Sequence, residues 1–142
     1  VDILFPYNLI ELNNKDEVGY AFKIYSKEEF NGDLSGMELL LEDNRYIVNI
    51  DLFVKGTDYK YKNLSLLKQF KYITVLYLNI FAINSIYDLN FILHLPKLQS
   101  VVTYNPDGTY HHNEMMVNDS AKQRFFRKLK YSININLLNQ SI

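Results

Sequence analysis

Three stretches of the chain share one spacing of apolar residues, and they recur at offsets of 26 and then 25 residues. The first, fourth and sixth positions of each stretch are apolar, apart from one Thr: Ile47/Ile50/Leu52, Ile73/Leu76/Leu78 and Leu98/Val101/Thr103. The last two of these positions are two residues apart, which is typical of a β-strand that buries one face. The pattern therefore predicts strands at residues 47–53, 73–79 and 98–104.

A second pattern, in steps of three residues, precedes each predicted strand. Its positions are Leu34/Met37/Leu40, Leu64/Leu67/Phe70 and Leu89/Ile92/Leu95, with four extra residues between the first set and its strand. Steps of three are typical of a 3₁₀ or short helical segment, because residues three apart lie on one side of it. Parallel strands need crossovers between them. We therefore predict an α/β fold, a short stack of parallel strands with helical or 3₁₀ crossovers.

An ordinary layered fold is the alternative interpretation of the same residues. Residues 37–41 and 46–53 would then form a β-hairpin, and residues 62–70 and 86–95 would be amphipathic helices of an α/β or α+β layer. Both interpretations agree on the three parallel strands and on helical connections between them. The two differ in whether the segment before the first of these strands is helical or extended.

The segment before residue 34 has the alternation of a strand. Apolar and aromatic residues occupy every second position between residues 18 and 25, and residues 8–12 are apolar enough to pair with them. This pattern predicts an N-terminal β-hairpin.

The segment after residue 104 departs from the repeat. Asn105-Pro106-Asp107-Gly108 has the composition of a turn. Asp119 or Ser120 can cap a helix that runs to about residue 131, with Phe125, Phe126 and Leu129 as its apolar positions. The alternation of Ile133, Ile135 and Leu137 predicts a final strand. We expect one domain over residues 1–142, made of an N-terminal β segment (1–33), a repeat-like core (34–105) and a C-terminal helix and strand (106–142).

The composition argues against an enzyme. The 142 residues include no Cys and only 5 Gly, and no phosphate-binding loop or strained nucleophile turn is present. Adjacent His111 and His112 would point to opposite faces of a strand, so with Glu114 they do not predict a metal site. We predict no catalytic residue, no metal and no cofactor.

Charge is distributed unevenly along the chain. Residues 1–50 hold 10 acidic and 4 basic residues, whereas residues 51–142 hold 6 acidic and 11 basic ones. Part of the basic excess lies in one segment, which interleaves cations with aromatic residues: Lys122, Arg124, Phe125, Phe126, Arg127, Lys128, Lys130 and Tyr131. Such a segment is one candidate for binding nucleic acid. A helix with solvated cations and inward Phe side chains is the favoured interpretation, so we expect no direct nucleic-acid binding.

The residues between the core positions of the strands face outward. They form three columns across the predicted sheet: Asn49/Val75/Ser100, Asp51/Tyr77/Val102 and Phe53/Asn79/Tyr104. Aromatic side chains dominate protein interfaces, so we predict that this face binds a partner unless another element, such as the C-terminal helix, covers it. The predicted partner-binding residues are Asp51, Phe53, Tyr77, Asn79 and Tyr104, together with the acidic Glu42 and Asp43.

Two resemblances follow from these patterns. Residues 34–105 resemble a degenerate bacterial leucine-rich repeat of the internalin type, in which a strand is followed by a helical turn. The whole chain, which is small, free of Cys, rich in Tyr and Asn and without catalytic motifs, resembles immunity proteins of bacterial polymorphic toxin systems, including contact-dependent growth inhibition.

The second resemblance implies a non-catalytic, cytoplasmic protein that binds and neutralises a cognate toxin, for example a nuclease, as a monomer within a heterodimer. Acidic residues would then face the basic cleft of the toxin. A leucine-rich-repeat scaffold or adhesion module is the alternative, and a nucleic-acid-binding protein that uses the C-terminal basic helix is a further one. No segment has the pattern of a signal peptide, and residues 72–98, the most apolar stretch, are too polar to span a membrane.

Overall fold

A single mixed sheet organises the chain. The computed structural model describes residues 2–5, 22–26, 30–40 and 44–140. The strands are β1 (Asp2–Phe5), β2 (Phe22–Ser26), β3 (Ile47–Leu52), β4 (Val75–Asn79), β5 (Ser100–Tyr104) and β6 (Tyr110–Met115). They follow one another across the sheet in chain order; β1 to β5 are parallel, and β6 is antiparallel to β5. The three parallel strands predicted from the repeat are therefore confirmed.

Within the described residues, short 3₁₀ helices lie between successive parallel strands from β2 to β5, as the steps of three predict. They are Ser35–Leu40, Leu64–Gln69, Ile80–Ala82 and Ile86–His94, and the chain continues after β6 into one α-helix, α1 (Asp119–Gln140). Because Ser35–Leu40 is helical, the alternative hairpin of residues 37–41 with 46–53 is wrong. The fold is thus mixed α/β, with a mostly parallel sheet and a C-terminal helix.

The core lies between the sheet and the layer of 3₁₀ helices. The inward positions of the strands are buried, with at most 3% of each residue exposed: Ile47, Ile50, Leu52, Ile73, Leu76, Leu78, Leu98 and Val101. The 3₁₀ segments contribute Leu34, Met37, Leu64, Leu67, Phe70, Leu89, Ile92 and Leu95 to the same core. The two sequence patterns therefore describe the two sides of one hydrophobic core.

Side-chain hydrogen bonds link equivalent places in successive strand-and-crossover units. The Asn44 amide donates to Gln69 O at 2.7 Å, the Thr74 hydroxyl to Val48 O at 3.0 Å, and the Asn79 amide to Val54 O at 2.6 Å. Their partners are 25, 26 and 25 residues apart in the chain, which matches the offsets of the apolar pattern. Val48 O also accepts from Thr74 N at 2.7 Å and Gln69 O from Lys71 N at 3.1 Å, whereas Val54 O is held by the Asn79 amide.

Two predictions outside the repeat-like core are wrong. Over Phe22–Ser26, β2 has β1 on one edge and β3 on the other, both parallel, so no edge remains for an antiparallel hairpin partner; residues 8–12 lie outside the described residues. The predicted final strand is the last part of α1, which continues to Gln140. Ile133 lies four residues after Leu129 in the helix, and both side chains are buried in the core.

The predicted turn at residues 105–108 is present. Gly108 N donates to Asn105 O at 3.0 Å, and Asp107 Oδ1 accepts from Thr109 N at 2.9 Å. Gly108 has a φ of +92°, which a residue with a side chain rarely adopts. The turn reverses the chain so that β6 can pair antiparallel with β5. None of the helices within the described residues is both long and apolar enough to cross a lipid bilayer.

We expect Gly32→Ala to destabilise the protein more than Gly56→Ala. Both glycines have positive φ, +91° and +74°, so both substitutions strain the backbone. A Cβ at residue 32 would also lie 2.5 Å from Lys60 O, whereas one at residue 56 meets no atom within 4 Å. Urea unfolding should show a loss of about 1 kcal/mol for Gly56→Ala and a loss at least about 1 kcal/mol larger for Gly32→Ala. Equal losses would contradict the close approach at Gly32.

Candidate partner-binding face

Four aromatic rings cluster on the outer face of the sheet, and we call this cluster the aromatic face: Phe53, Tyr77, Tyr104 and Tyr110. Tyr104 is central, with ring centroids 5.3 Å from Phe53, 5.9 Å from Tyr77 and 5.3 Å from Tyr110. The rings of Tyr77 and Tyr110 stack on Tyr104, and Phe53 meets it edge-on. Phe53, Tyr77 and Tyr104 come together because strand residues that alternate with the core positions lie in columns across the parallel strands, and Tyr110 lies opposite Tyr104 on the antiparallel β6.

A carboxylate lies beside these rings and is short of partners. The Tyr104 hydroxyl donates to Asp51 Oδ2 at 2.9 Å, while the buried Asp51 Oδ1 has no hydrogen-bond partner among the described residues. Burial raises the pKa of Asp51 above the ordinary carboxyl value, although the Tyr104 hydrogen bond and the charge of Lys23 oppose the rise. Burial and the neighbouring Asp51 charge likewise raise the pKa of Tyr104. A cationic side chain of a partner near this carboxylate would favour its ionised form.

A pocket of about 340 Å³ opens onto this carboxylate. Its lining includes Lys23, Tyr25, Asp51, Phe53 and Tyr104. The Lys23 ammonium lies 5.6 Å from the centre of the Tyr77 ring, in a cation–π contact. A carboxylate with aromatic walls has the chemistry to hold a cationic side chain, and Lys23 is the chain's own cation beside it.

The structure brings together four of the sequence-predicted partner-binding residues, Asp51, Phe53, Tyr77 and Tyr104. It does not bring Asn79 to the surface; Asn79 is completely buried. In the outward columns, Ser100, Val102 and Tyr104 are buried as well, with at most 8% of each residue exposed. Glu42 and Asp43 lie outside the described residues.

Asn79 is buried because it ends β4 and caps the next helix. Its amide oxygen accepts a hydrogen bond from Phe81 N at 2.9 Å, at the start of the 3₁₀ helix Ile80–Ala82. Its amide nitrogen donates to Val54 O, and its backbone N–H donates to the buried Tyr61 hydroxyl at 3.0 Å. That hydroxyl in turn donates to Leu52 O. Alternation places Asn79 outward, but the cap turns its side chain into the structure.

Tyr110 belongs to the aromatic face but is absent from the sequence prediction. The repeat pattern does not extend to β6, whose residues are mostly exposed and therefore carry no apolar alternation. The turn at residues 105–108 was the available signal, because a strand that follows a tight turn pairs with the strand before it. Tyr110 is then the residue that comes opposite Tyr104.

The C-terminal helix does not cover the aromatic face. α1 packs against the 3₁₀ helices Ile86–His94 and Ile80–Ala82, which lie on the other side of the sheet. Two of the five cations of the basic segment are engaged within the chain: Lys122 is buried and donates to Leu95 O at 2.6 Å, and Lys128 pairs with Glu114 at 3.3 Å. Arg124, Arg127 and Lys130 are exposed.

His111 and His112 lie on one side of the sheet, where both line the same pocket, contrary to the prediction that they point to opposite faces. The pairing of β5 with β6 shifts between Thr103 and Tyr104 and leaves His111 without a partner, and such a bulge re-aims a side chain. His112 contacts Glu114 at 2.6 Å, and the hydrogen bond lowers the pKa of that carboxyl. The described residues hold no group of three or more His, Asp or Glu side chains placed to bind a metal.

We expect Tyr61→Phe to cost about 1–3 kcal/mol of stability, because Leu52 O and the Asn79 N–H would both lose a buried partner. Tyr59→Phe is the matched control, since Tyr59 is 54% exposed and its hydroxyl makes no hydrogen bond to the described residues. Chemical denaturation of both variants measures the difference. A loss for Tyr61→Phe no larger than for Tyr59→Phe would contradict the role of this hydroxyl.

We expect Asp51→Asn to raise the free energy of unfolding at neutral pH. The pKa of Asp51 is raised in the folded state, so its favourable contribution exists below the unfolded pKa and is lost as pH rises through the folded pKa. At neutral pH the ionised carboxylate carries a burial cost that Asn removes, and the advantage of Asn should shrink as the pH is lowered.

Asp107→Asn is the control, for which we expect the opposite effect on the free energy of unfolding. Hydrogen bonds from Thr109 lower the pKa of Asp107, so the contribution of Asp107 exists at neutral pH and is lost as pH falls. Asp107→Asn should therefore destabilise the protein at neutral pH. Urea unfolding as a function of pH measures both effects, and a pH-independent difference for Asp51→Asn would refute the assignment.

The chain was compared with protein-family models, curated proteins and solved structures. No protein-family model, curated protein or solved structure matches it.

Proposed function

We propose that the chain is a non-catalytic protein-binding domain, an immunity protein that binds and neutralises a cognate bacterial toxin in the cytoplasm as one partner of a heterodimer. The observation that carries the proposal is the aromatic face with the under-partnered Asp51 carboxylate beside it. Aromatic rings that stand on a rigid sheet bind with little loss of side-chain entropy, and they dominate interface energetics.

The chemistry of this face favours a partner with basic side chains. An Arg or Lys that entered the pocket would meet the Asp51 carboxylate and would contact the walls formed by Phe53 and Tyr104. A nuclease toxin has basic residues where it binds the phosphate backbone, and it therefore fits this requirement. Glu42 and Asp43 would add acidic charge in the connection that leads into β3.

We also propose that residues 34–105 are a short leucine-rich-repeat-type stack. The in-register parallel strands, the 3₁₀ crossovers and the side-chain hydrogen bonds between residues 25 or 26 apart support it. The same features favour one second function, a repeat module that serves as a scaffold or adhesion surface. In that case further units of about 25 residues should occur in the full gene.

The test is co-expression of the chain with toxin domains encoded beside its gene. We expect growth rescue and a stable 1:1 complex with one of them. Phe53→Ala and Tyr77→Ala should each weaken the complex by about 2 kcal/mol, about 30-fold in Kd. Tyr87→Ala is the matched control, because Tyr87 is 76% exposed on the 3₁₀ helix Ile86–His94, away from the aromatic face.

Calorimetric titration measures the affinities, and thermal melts confirm that each variant is folded. Equal losses for Tyr87→Ala and Tyr77→Ala would place the interface elsewhere. A chain that binds no neighbouring gene product and rescues no growth would refute the immunity function and would leave the scaffold function as the better explanation.

A further inference from the structure

A second concavity, which we call the basic groove, lies between β6 and α1 on the helical side of the sheet. Its volume is about 580 Å³, within the range typical of small-molecule sites. Ile80, Phe125 and Leu129 contribute its apolar floor and are at most 5% exposed as residues. The groove is separate from the pocket beside Asp51, and the two share no lining residue.

Cations line one wall of the basic groove. Arg124, Arg127 and Lys128 come from α1, where positions three and four residues apart lie side by side. Lys128 shares Glu114 with His112, at 3.3 Å and 2.6 Å. Arg124 and Arg127 have no acidic partner within the part of the chain that the structure describes. The groove therefore carries positive charge that its own residues do not balance.

The opposite wall is polar and also suits an anion. His111 and His112 both line the groove, because the bulge in β6 brings the two adjacent side chains to one side. The His111 ring is fixed edge-on against Phe81, with centroids 5.8 Å apart. Imidazole N–H groups and guanidinium groups are hydrogen-bond donors, and among the described residues Glu114 is the acidic side chain in contact with this lining.

We propose that the basic groove binds a single-chain amphiphile with an anionic head group, a carboxylate or a phosphate. The aliphatic chain lies on the floor formed by Ile80, Phe125 and Leu129, and the head group accepts hydrogen bonds from Arg124 and Arg127. This site does not depend on the proposed toxin binding, since it lies on the other side of the sheet.

Nucleic acid fits this groove less well. Single-stranded nucleic acid binds by stacking its bases on exposed aromatic faces. Phe125 is only 1% exposed, and Tyr131, at 70% exposed, is the one Phe or Tyr ring open to solvent among the described residues that line the groove, beside the imidazoles of His111 and His112. A floor of buried apolar side chains with cations at one wall instead matches an apolar chain that ends in an anion.

The test uses octanoate and octyl phosphate as probes, in amide-detected NMR titrations of the full chain. We expect both to shift resonances of β6 and α1, while 1-octanol, which lacks the charge, and acetate and inorganic phosphate, which lack the chain, bind at least about tenfold more weakly. The carboxylate and phosphate arms show which head group is preferred. Equal binding of octanol, or equal binding of acetate or phosphate, overturns the proposal.

Arg124→Gln with Arg127→Gln should weaken octanoate binding about tenfold or more, because the two unpaired cations are lost. Lys130→Gln is the matched control, an exposed cation of the same helix that does not line the groove. Ser132→Trp should block the groove with bulk and abolish binding. Because the Arg variants change only exposed side chains, they test the proposal even if Ser132→Trp does not fold.

The proposal is overturned if neither octanoate nor octyl phosphate binds. It is also overturned if Lys130→Gln weakens binding as much as the double Arg variant does. A third contrary result is that a short single-stranded oligonucleotide binds in a way that depends on Arg124 and Arg127 while octanoate does not bind. The last result would assign the groove to nucleic acid.

Discussion

The fold depends on pairing the buried backbone groups at the ends of its parallel strands. After Leu52 the ladder of β3 stops, and the next carbonyl oxygens would be buried without partners. The Tyr61 hydroxyl takes Leu52 O, and the Asn79 amide takes Val54 O. Phe53 lies between these two carbonyls, so the backbone on both of its sides is held by side chains from the following unit. The same pair of hydrogen bonds therefore fixes the backbone on either side of Phe53, whose own carbonyl oxygen accepts from the Ser26 hydroxyl at 2.9 Å.

The outer face combines a stabilising feature with a costly one. Ring contacts between Tyr104 and its three aromatic neighbours favour the folded state. The same rings remove water from Asp51, whose Oδ1 is left without a hydrogen bond from the described residues and whose pKa is raised by burial. A sequence selected for stability alone would replace this carboxylate. A costly buried carboxylate of this kind is typical of a functional site, and this distinguishes Asp51 from the exposed acids.

The sequence allowed the repeated strands, their 3₁₀ connections and most of the aromatic face to be predicted, because burial on one side imposes a period of two or three residues. The failures occur where the chain departs from regular geometry. Asn79 follows the strand alternation but caps a helix, and His111 lies in a bulge. Ile133 belongs to a short alternation of apolar residues that predicts a strand. It also lies four residues after Leu129, a spacing typical of a helix, and the segment is helical in the structure. Lys122 is a residue type usually found at the surface, but tertiary packing buries it, and its ammonium group donates to Leu95 O.

The two candidate sites share only the last strand pair. Thr103 and His112 face the basic groove, whereas Tyr104 and Tyr110 face outward, and the register shift of β6 lies between these two pairs. A ligand that moved β6 in the groove would act on Tyr110 first, which is the most exposed ring of the aromatic face at 69%. Phe53 and Tyr77 belong to the β3–β4 part of the sheet, which is held by the buried hydrogen bonds of Tyr61 and Asn79. Coupling between the two sites would therefore pass through the β5–β6 pair or through Ile80, which lines the groove and directly follows Asn79.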